Sequence, residues 1–328
     1  MWVPFRHFLI YLYSGILSGI FVCGFIGNIL VIAVVIRYSC MQTVTNIYIL
    51  SLSLADILFL LSIPLFLYTT LFNSFPQSQI LCKFYVSVTL FNWFASTFSL
   101  TSMAADRFFA IVYPVRSQSW RQKNKTITVI VVVWILACVL MSPGSINAQV
   151  NQISPNSSKG SCNQFWNGDY KSYILYTFCL GYLIPCLFIF FFYSCVVWTL
   201  SKVRMGKGSK QNRQKTTKLV TIIIVTYICC WLPHWINQLR SLSFYYQTEK
   251  FNFSLNPTKN KTRILMSSSN NNYSSFYALF LNLIYQLLGY LNSAINPILY
   301  SYMSINFRTA FGKMMARKFQ RSAFQITS

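Results

Sequence analysis

The chain holds four carboxylates, Asp56, Asp106, Asp169 and Glu249, against 27 Lys and Arg. Two of the four stand where a charge is expensive. Asp56, in Leu54-Ala55-Asp56, lies in the middle of an apolar stretch, where an ionised acid needs partners or a proton. Asn28, Asn92, Ser96, Asn292 and Asn296 occupy the middle of other apolar stretches. An acid among amides and hydroxyls, with no Lys or Arg beside it, is a hard-oxygen cluster suited to a small cation, and sodium is the expected ion. The alternative is a protonated acid acting as glue between helices. Asp106-Arg107-Phe108 sets an acid next to a base where another apolar stretch ends, and such a pair anchors helix depth at a membrane boundary.

These groups need a frame that keeps water away from them. Apolar residues make up 55% of the chain and charged residues 9%, against roughly 25% charged in an average globular protein. Aromatics reach 18%, which argues against a disordered or nucleic-acid-binding chain. The chain therefore reads as a membrane protein, with lipid around it and no nucleic-acid partner. Apolar stretches long enough to cross ~30 Å of hydrocarbon as helix fall near 9–36, 46–72, 80–113, 126–149, 172–200, 216–242 and 276–302. They are far longer than the roughly ten-residue alternating strands of an outer-membrane barrel. The expected fold is all-α: one seven-transmembrane helix bundle over residues 1–328, with a short amphipathic helix near 305–318. No internal repeat of the transporter kind is visible.

Basic residues set the direction. Arg37, the group Arg107 to Lys125, the run Lys202 to Lys218 and the group Arg308 to Arg321 gather on one side. The positive-inside tendency makes that side cytoplasmic, with the N-terminus outside and the C-terminus inside. Sequons at Asn156, Asn252, Asn260 and Asn272 then fall on outer connections as glycosylation candidates, and a fifth at Asn124 should stay bare. The Ser- and Asn-rich connection near 243–275 is expected to be a mobile loop. No cleavable leader is expected, because the first apolar stretch starts almost at once. Most cysteines lie in apolar stretches and act as small fillers; Cys40, on the inner side, is a candidate for palmitoylation. Cys82 and Cys162 are the two on the oxidising side and form the natural disulfide. Pro185, Pro233 and Pro297 each interrupt a helix, and the latter two, beside Trp231 and Tyr300, suggest hinges.

Taken in order, Gly27-Asn28, Leu54-Ala55-Asp56, Cys82, Asp106-Arg107-Phe108, Trp134, Pro185 with Tyr193, Cys230-Trp231-Leu232-Pro233 and Asn296-Pro297-Ile298-Leu299-Tyr300 resemble the rhodopsin-like G-protein-coupled receptors. The resemblance covers nearly the whole chain. Within that family, Ser87 to Asn92, Tyr176-Thr177-Phe178, Gly181-Tyr182, Arg204-Met205 and Leu288 to Ser293 look like the somatostatin, allatostatin-C and opioid group of peptide receptors. It implies a peptide ligand outside, a heterotrimeric G protein of the inhibitory class inside, arrestin as a further partner, and a plasma-membrane location. It also implies roles for Asp106, Arg107, Tyr193, Trp231, Pro233, Pro297 and Tyr300 in activation and coupling. Arg107 would be held by Asp106 at rest, and would meet Tyr193, Tyr300 and the G-protein tail once span six swings outward. Helical spacing carries Trp235 and Gln238 up the face of Trp231. With Thr89, Trp93, Gln286 and Tyr290 they are candidate walls of a pocket opening outward between spans three, five, six and seven.

Several positions depart from the group. Thr89 stands where somatostatin and opioid receptors carry an acid, which favours the allatostatin-C side. Phe108 replaces a Tyr, Tyr227 replaces a Phe one turn before Trp231, and Thr97 replaces an aliphatic residue near Pro185. A chemokine-like or lipid ligand is the alternative within the family. Other classes fit poorly. A metal hydrolase needs several His, and His7 and His234 are the two present. A retinal protein needs a Lys in 276–302, which has none, and a channel or transporter should show charge pairs at the midplane.

Overall fold

A computed structural model of the chain describes residues 2–152, 159–163, 170–202, 207–255, 272–303 and 307–314, and the side chains at 2–6, 170, 207–216, 244–255 and 272–279 fall outside that description. The first span is α1, Trp2–Arg37, and the second is built from α2, Val44–Leu60, and α3, Ile63–Phe72. Thr43 caps α2 by accepting from the Asn46 amide at 3.3 Å. The break at Leu61-Ser62 precedes Pro64, whose missing N–H is tolerated in the first turn of α3. Asn73 ends α3 in the left-handed region at φ 49°, which Asn tolerates better than most residues.

The third span is α4, Gln79–Val112, followed by the short α5, Pro114–Ser117, and the fourth is α6, Lys123–Ile146. A hairpin of β1, Gln149–Gln152, and β2, Gly160–Asn163, pairs Val150 with Cys162. The helix-only sequence reading had no place for it. Gln79 holds the start of the hairpin, donating to the Ala148 carbonyl at 2.5 Å and accepting from the Val150 amide at 3.1 Å. The fifth span runs as α7, Tyr170–Phe178, a π turn at Cys179–Leu183, and α8, Ile184–Lys202. The sixth and seventh are α9, Lys207–Leu255, and α10, Asn272–Met303. Residues 307–314, α11, are helical, with Phe307 and Ala310 buried against the bundle.

The helix α9 runs past the apolar stretch at 216–242 in both directions, because backbone bonding continues through polar residues once a helix has nucleated. Of the connection expected at 243–275, residues 243–255 and 272–275 are helical, and residues 256–271 lie outside the described residues. Asn156 and Asn260 lie outside them too, as do the side chains of Asn252 and Asn272.

Five stretches of described helix are long and apolar enough to cross a membrane: His7–Arg37, Val44–Phe72, Lys123–Ile146, Lys171–Lys202 and Thr217–Ser243. The helix α4 is more polar because it sits inside the bundle, packed against α2, α6, α8 and α9. It buries Asn92, Ser96, Thr97, Ser99, Asp106 and Arg107, groups that lipid would reject. Helix α6 instead turns Val132, Ile135 and Val139 outward, each more than half exposed.

Prolines open the helices, and neighbours close the gap. Pro297 lacks the N–H that would bond the Ser293 carbonyl one turn back. The Asn28 side chain donates to that carbonyl at 3.1 Å, joining α1 to α10, while keeping a 2.8 Å bond to its own Gly24 carbonyl. Pro143 likewise frees the Val139 carbonyl, which accepts from the Ser142 hydroxyl at 2.8 Å. The α1–α10 joint needs a close approach: a Cβ at Gly24 would lie 2.8 Å from the Ala294 Cβ, whereas at Gly15 it would meet nothing within 4 Å. Gly24→Leu should therefore lower the melting midpoint of the purified protein by several degrees, and Gly15→Leu should leave it unchanged. Equal melting of the two variants would contradict the packing.

Candidate functional site

Three clusters lie along the bundle axis. At one end Cys82 and Cys162 are bonded, with Cα atoms 5.5 Å apart, tying the start of α4 to β2. A cleft of ≈ 300 Å³ opens beside them, lined by Phe66, Thr69, Tyr85 and Ser161 among others.

The candidate pocket walls separate into two kinds. Thr89, Gln238 and Gln286 are half-buried, and the Thr89 hydroxyl donates to the Tyr85 carbonyl at 2.8 Å. Trp93 and Trp235 are buried in an aromatic box with Trp231 and His234, with neighbouring ring centroids 5.3–5.8 Å apart. Tyr290 is fully enclosed, its hydroxyl 3.0 Å from Ser62 and its ring stacked on Phe59 at 4.6 Å. It joins α2, α3 and α10 by packing rather than standing as an open wall. Trp93 Nε1, Trp231 Nε1 and His234 Nε2 are buried with no hydrogen-bond partner among the described residues. Reading the sequence left His234 out of the box; its place between Pro233 and Trp235 was the available signal.

The second cluster surrounds Asp56, which is 1% exposed. Its Oδ2 accepts from Asn296 at 2.8 Å, and its Oδ1 lies 3.5 Å from the Asn92 amide. Asn92 also reaches the Ser96 hydroxyl at 3.3 Å. Helix positions explain the convergence: Asn92 and Ser96 are one turn apart on α4, as are Asn292 and Asn296 on α10. A small cavity of ≈ 10 Å³ is bounded by Ser96, Asn292, Asn296 and Tyr227, room for about one water. The Asn296 Oδ1 is buried without a partner among the described residues. Among the described residues no three His, Cys, Asp or Glu converge, so the oxygen donors here are one acid, amides and a hydroxyl. That set suits a hard monovalent ion better than a transition metal.

The third cluster lies at the basic end. Arg107 forms a close ion pair with Asp106 and donates to Thr45 at 2.7 Å. Asp106 also receives Arg121, with Nε at 2.6 Å from Oδ1 and a second nitrogen 3.2 Å from Oδ2. Two guanidiniums thus share one buried carboxylate, offsetting its desolvation with charge-assisted bonds. Arg107 takes these partners rather than Tyr193 or Tyr300, and the Tyr300 hydroxyl is buried with none among the described residues. A cavity of ≈ 140 Å³ beside the pair is lined by Arg107, Ile111, Pro114, Ser117, Arg121 and Thr217. Thr45 and Arg121 are contacts of the Asp106–Arg107 pair that sequence reading missed. Arg121 counted there only as one of many basic residues, and it reaches Asp106 because α5 folds the chain back after Pro114.

Helices α9 and α10 carry Pro233 and Pro297 inside them, the first within the aromatic box between Trp231 and His234, the second next to Asn296. Trp231 sits two residues before Pro233, with its ring against Trp93, Phe59 and Tyr227.

Residues 27–300 match the family described as 7 transmembrane receptor (rhodopsin family). Somatostatin receptor type 2 of Mus musculus is 32% identical over 301 residues, covering 90% of this chain and 74% of that receptor. Somatostatin receptor type 4 of Rattus norvegicus is 32% identical over 297 residues, 89% of this chain and 69% of its own length. Somatostatin receptor type 1 of Rattus norvegicus is 28% identical over 319 residues, 95% and 73%.

The bond between Cys82 and Cys162 closes a separation of 80 residues. A link of that length stabilises by roughly 4 kcal/mol in the chain-entropy account. Cys82→Ser and Cys162→Ser should each cut surface expression and lower the melting midpoint, and the double variant should be no worse than either. Normal folding of both single variants, with two free thiols in the wild type by mass spectrometry, would contradict it.

Proposed function

Since the chain belongs to the rhodopsin family of seven-transmembrane receptors, we propose that it responds to an extracellular neuropeptide of the somatostatin and allatostatin-C kind and signals through an inhibitory G protein. The observation that carries this reading is the likeness to somatostatin receptors over nine-tenths of the chain. The protein sits in the plasma membrane with the disulfide end outside and the basic end in the cytoplasm, as the placement of Lys and Arg favours.

The peptide enters at the disulfide end, where the Cys82–Cys162 bond fixes the hairpin at the pocket mouth. Thr89, Gln238 and Gln286 offer uncharged polar contacts, with the Trp93 and Trp235 box beneath them. A desolvated ammonium would find no acid among these walls, so the buried part of the ligand is uncharged, and the unpartnered Trp93 N–H suits a ligand carbonyl. At rest Arg107 is held by Asp106 and Thr45. Activation swings α9 outward about Pro233, and Arg107 then turns to Tyr193, Tyr300 and the tail of the G protein entering the cavity at the basic end. Arrestin would use the same opening.

The residues around Asp56 offer a sodium ion a carboxylate, the Ser96 hydroxyl and the Asn296 oxygen, and a cavity with room for about one water adjoins them, bounded by Ser96, Asn292 and Asn296 rather than by Asp56 itself. The ion would supply positive charge that balances Asp56 in the resting arrangement. Asn92 and Asn296 orient the carboxylate, and Asn292 bounds the site. An ion preferring the resting state lowers agonist affinity through linkage.

The test uses cells expressing the chain and an agonist found in a neuropeptide library. Agonist should lower forskolin-raised cyclic AMP, pertussis toxin should abolish the response, and Arg107→Ala should lose it. In membranes, sodium should weaken agonist binding in the wild type and leave Asp56→Asn unaffected. A toxin-insensitive rise in cyclic AMP would overturn inhibitory coupling, and an unchanged sodium effect in Asp56→Asn would overturn the ion assignment.

A further inference from the structure

Pro185 has no N–H to give the Gly181 carbonyl one turn back, and the π turn Cys179–Leu183 surrounds that carbonyl. The Ile184 N–H skips to the Cys179 carbonyl instead. A donor on another helix stands within reach of the Gly181 carbonyl: Thr97 Oγ1 on α4 lies 3.0 Å away. Gly181 is what permits the approach, since a Cβ there would lie 3.3 Å from the Phe94 ring.

Thr97 Oγ1 is also 2.6 Å from its own Trp93 carbonyl and in a short hydrogen bond with the Tyr227 hydroxyl on α9. Both carbonyls can only accept, so the single Thr97 proton goes to one of them. Tyr227 must then be the donor and Thr97 Oγ1 the acceptor. A hydrogen bond therefore runs from α9 to α4, and Thr97 shares its one proton between the Trp93 carbonyl of its own turn and the Gly181 carbonyl of the π turn. Thr97 is 0% and Tyr227 3% exposed, so opening the bond between them strands hydroxyls where water does not wait.

Position gives this bond its meaning. Tyr227 lies six residues before Pro233, on the basic side of the only proline inside α9. Any rotation of that half of α9 about Pro233 carries Tyr227 away from Thr97. Tyr227 also bounds the small cavity shared by Ser96, Asn292 and Asn296. A released hydroxyl therefore has a second polar environment beside it, the cluster around Asp56.

We propose that Tyr227, Thr97 and the Gly181 carbonyl form a polar latch that holds the basic half of α9 against α4 and the π turn, and that its opening frees α9 to swing about Pro233. Closed, Tyr227 donates to Thr97; open, it turns toward the Asn292 and Asn296 side. One hydroxyl with two alternative partners makes a two-state element of the kind that switches use.

The test is a distance measurement on the full chain in lipid nanodiscs by double electron–electron resonance. Spin labels are attached through a ketone-bearing non-natural amino acid at positions 125 and 218, both exposed at the basic end. It needs neither ligand nor G protein, so its failure is distinct from a failure of the signalling reading. The wild type should show one dominant short distance. Tyr227→Phe removes one oxygen and should raise the long-distance share about fivefold, the factor that the net contribution of one buried hydrogen bond gives. Thr97→Val should do the same, the double variant should add nothing beyond the larger single effect, and Thr97→Ser should stay at the wild-type distribution. A wild-type distribution in Tyr227→Phe, or additive effects in the double variant, would overturn the latch.

Discussion

Water is absent from the hydrocarbon, so every polar group that enters it must be answered from within the bundle. That constraint shapes this molecule more than apolar packing does, because lipid tails surround apolar side chains as readily as neighbouring helices do. Each internal proline makes the constraint sharper by removing a backbone donor. The carbonyl freed by Pro297 is taken by Asn28 from α1, the one freed by Pro185 has the Thr97 hydroxyl of α4 at 3.0 Å, shared with the Trp93 carbonyl, and the one freed by Pro143 is taken by Ser142 in its own turn. The first two of these repairs are also joints between helices. Pro297 and Pro185 thus create acceptors that draw a donor from a neighbouring helix.

The two buried acids obey the same rule in different ways. Asp106, near the basic end, is answered by two guanidiniums and needs nothing further. Asp56, deep in the bundle, is answered by amide donors that leave the Asn296 oxygen unpaired and a small cavity open. Full satisfaction rigidifies and partial satisfaction leaves alternatives. Of Tyr227, Asn296, Arg107 and Tyr300, the Asn296 Oδ1 and the Tyr300 hydroxyl are the ones left open among the described residues, and they flank Pro297 on α10.

Much of this could be read from the sequence because membrane chemistry is unforgiving. An Asp at mid-span, amides one turn apart and two cysteines on the oxidising side each have few bland explanations. What could not be read depends on three-dimensional reach. Arg121 was indistinguishable from other loop cations until α5 folded it onto Asp106, and Thr45 offered no pattern at all. Tyr290 looked like a pocket wall because helix spacing places it on the inward face. Whether an inward face meets a cavity or Phe59 is decided by side-chain volumes on other helices. The hairpin was hidden for a related reason: its strands are four residues each and rely on Gln79 and the disulfide rather than on their own alternation. Hydropathy located the apolar part of α9 but not its ends, since helical bonding does not stop where lipid does.

The central claim, that side chains replacing a proline's lost donor hold the bundle together, is tested most directly by a double-mutant cycle on the α1–α10 joint. Melting midpoints are compared for the wild type, Asn28→Ala, Pro297→Ala and the double variant in one detergent. If Asn28 answers the carbonyl that Pro297 leaves open, Asn28→Ala should lower the midpoint by several degrees in the wild type. In the Pro297→Ala background, where the restored backbone N–H serves Ser293, that loss should fall by at least half. An equal loss in both backgrounds would mean that Asn28 stabilises for some other reason, and would contradict the account.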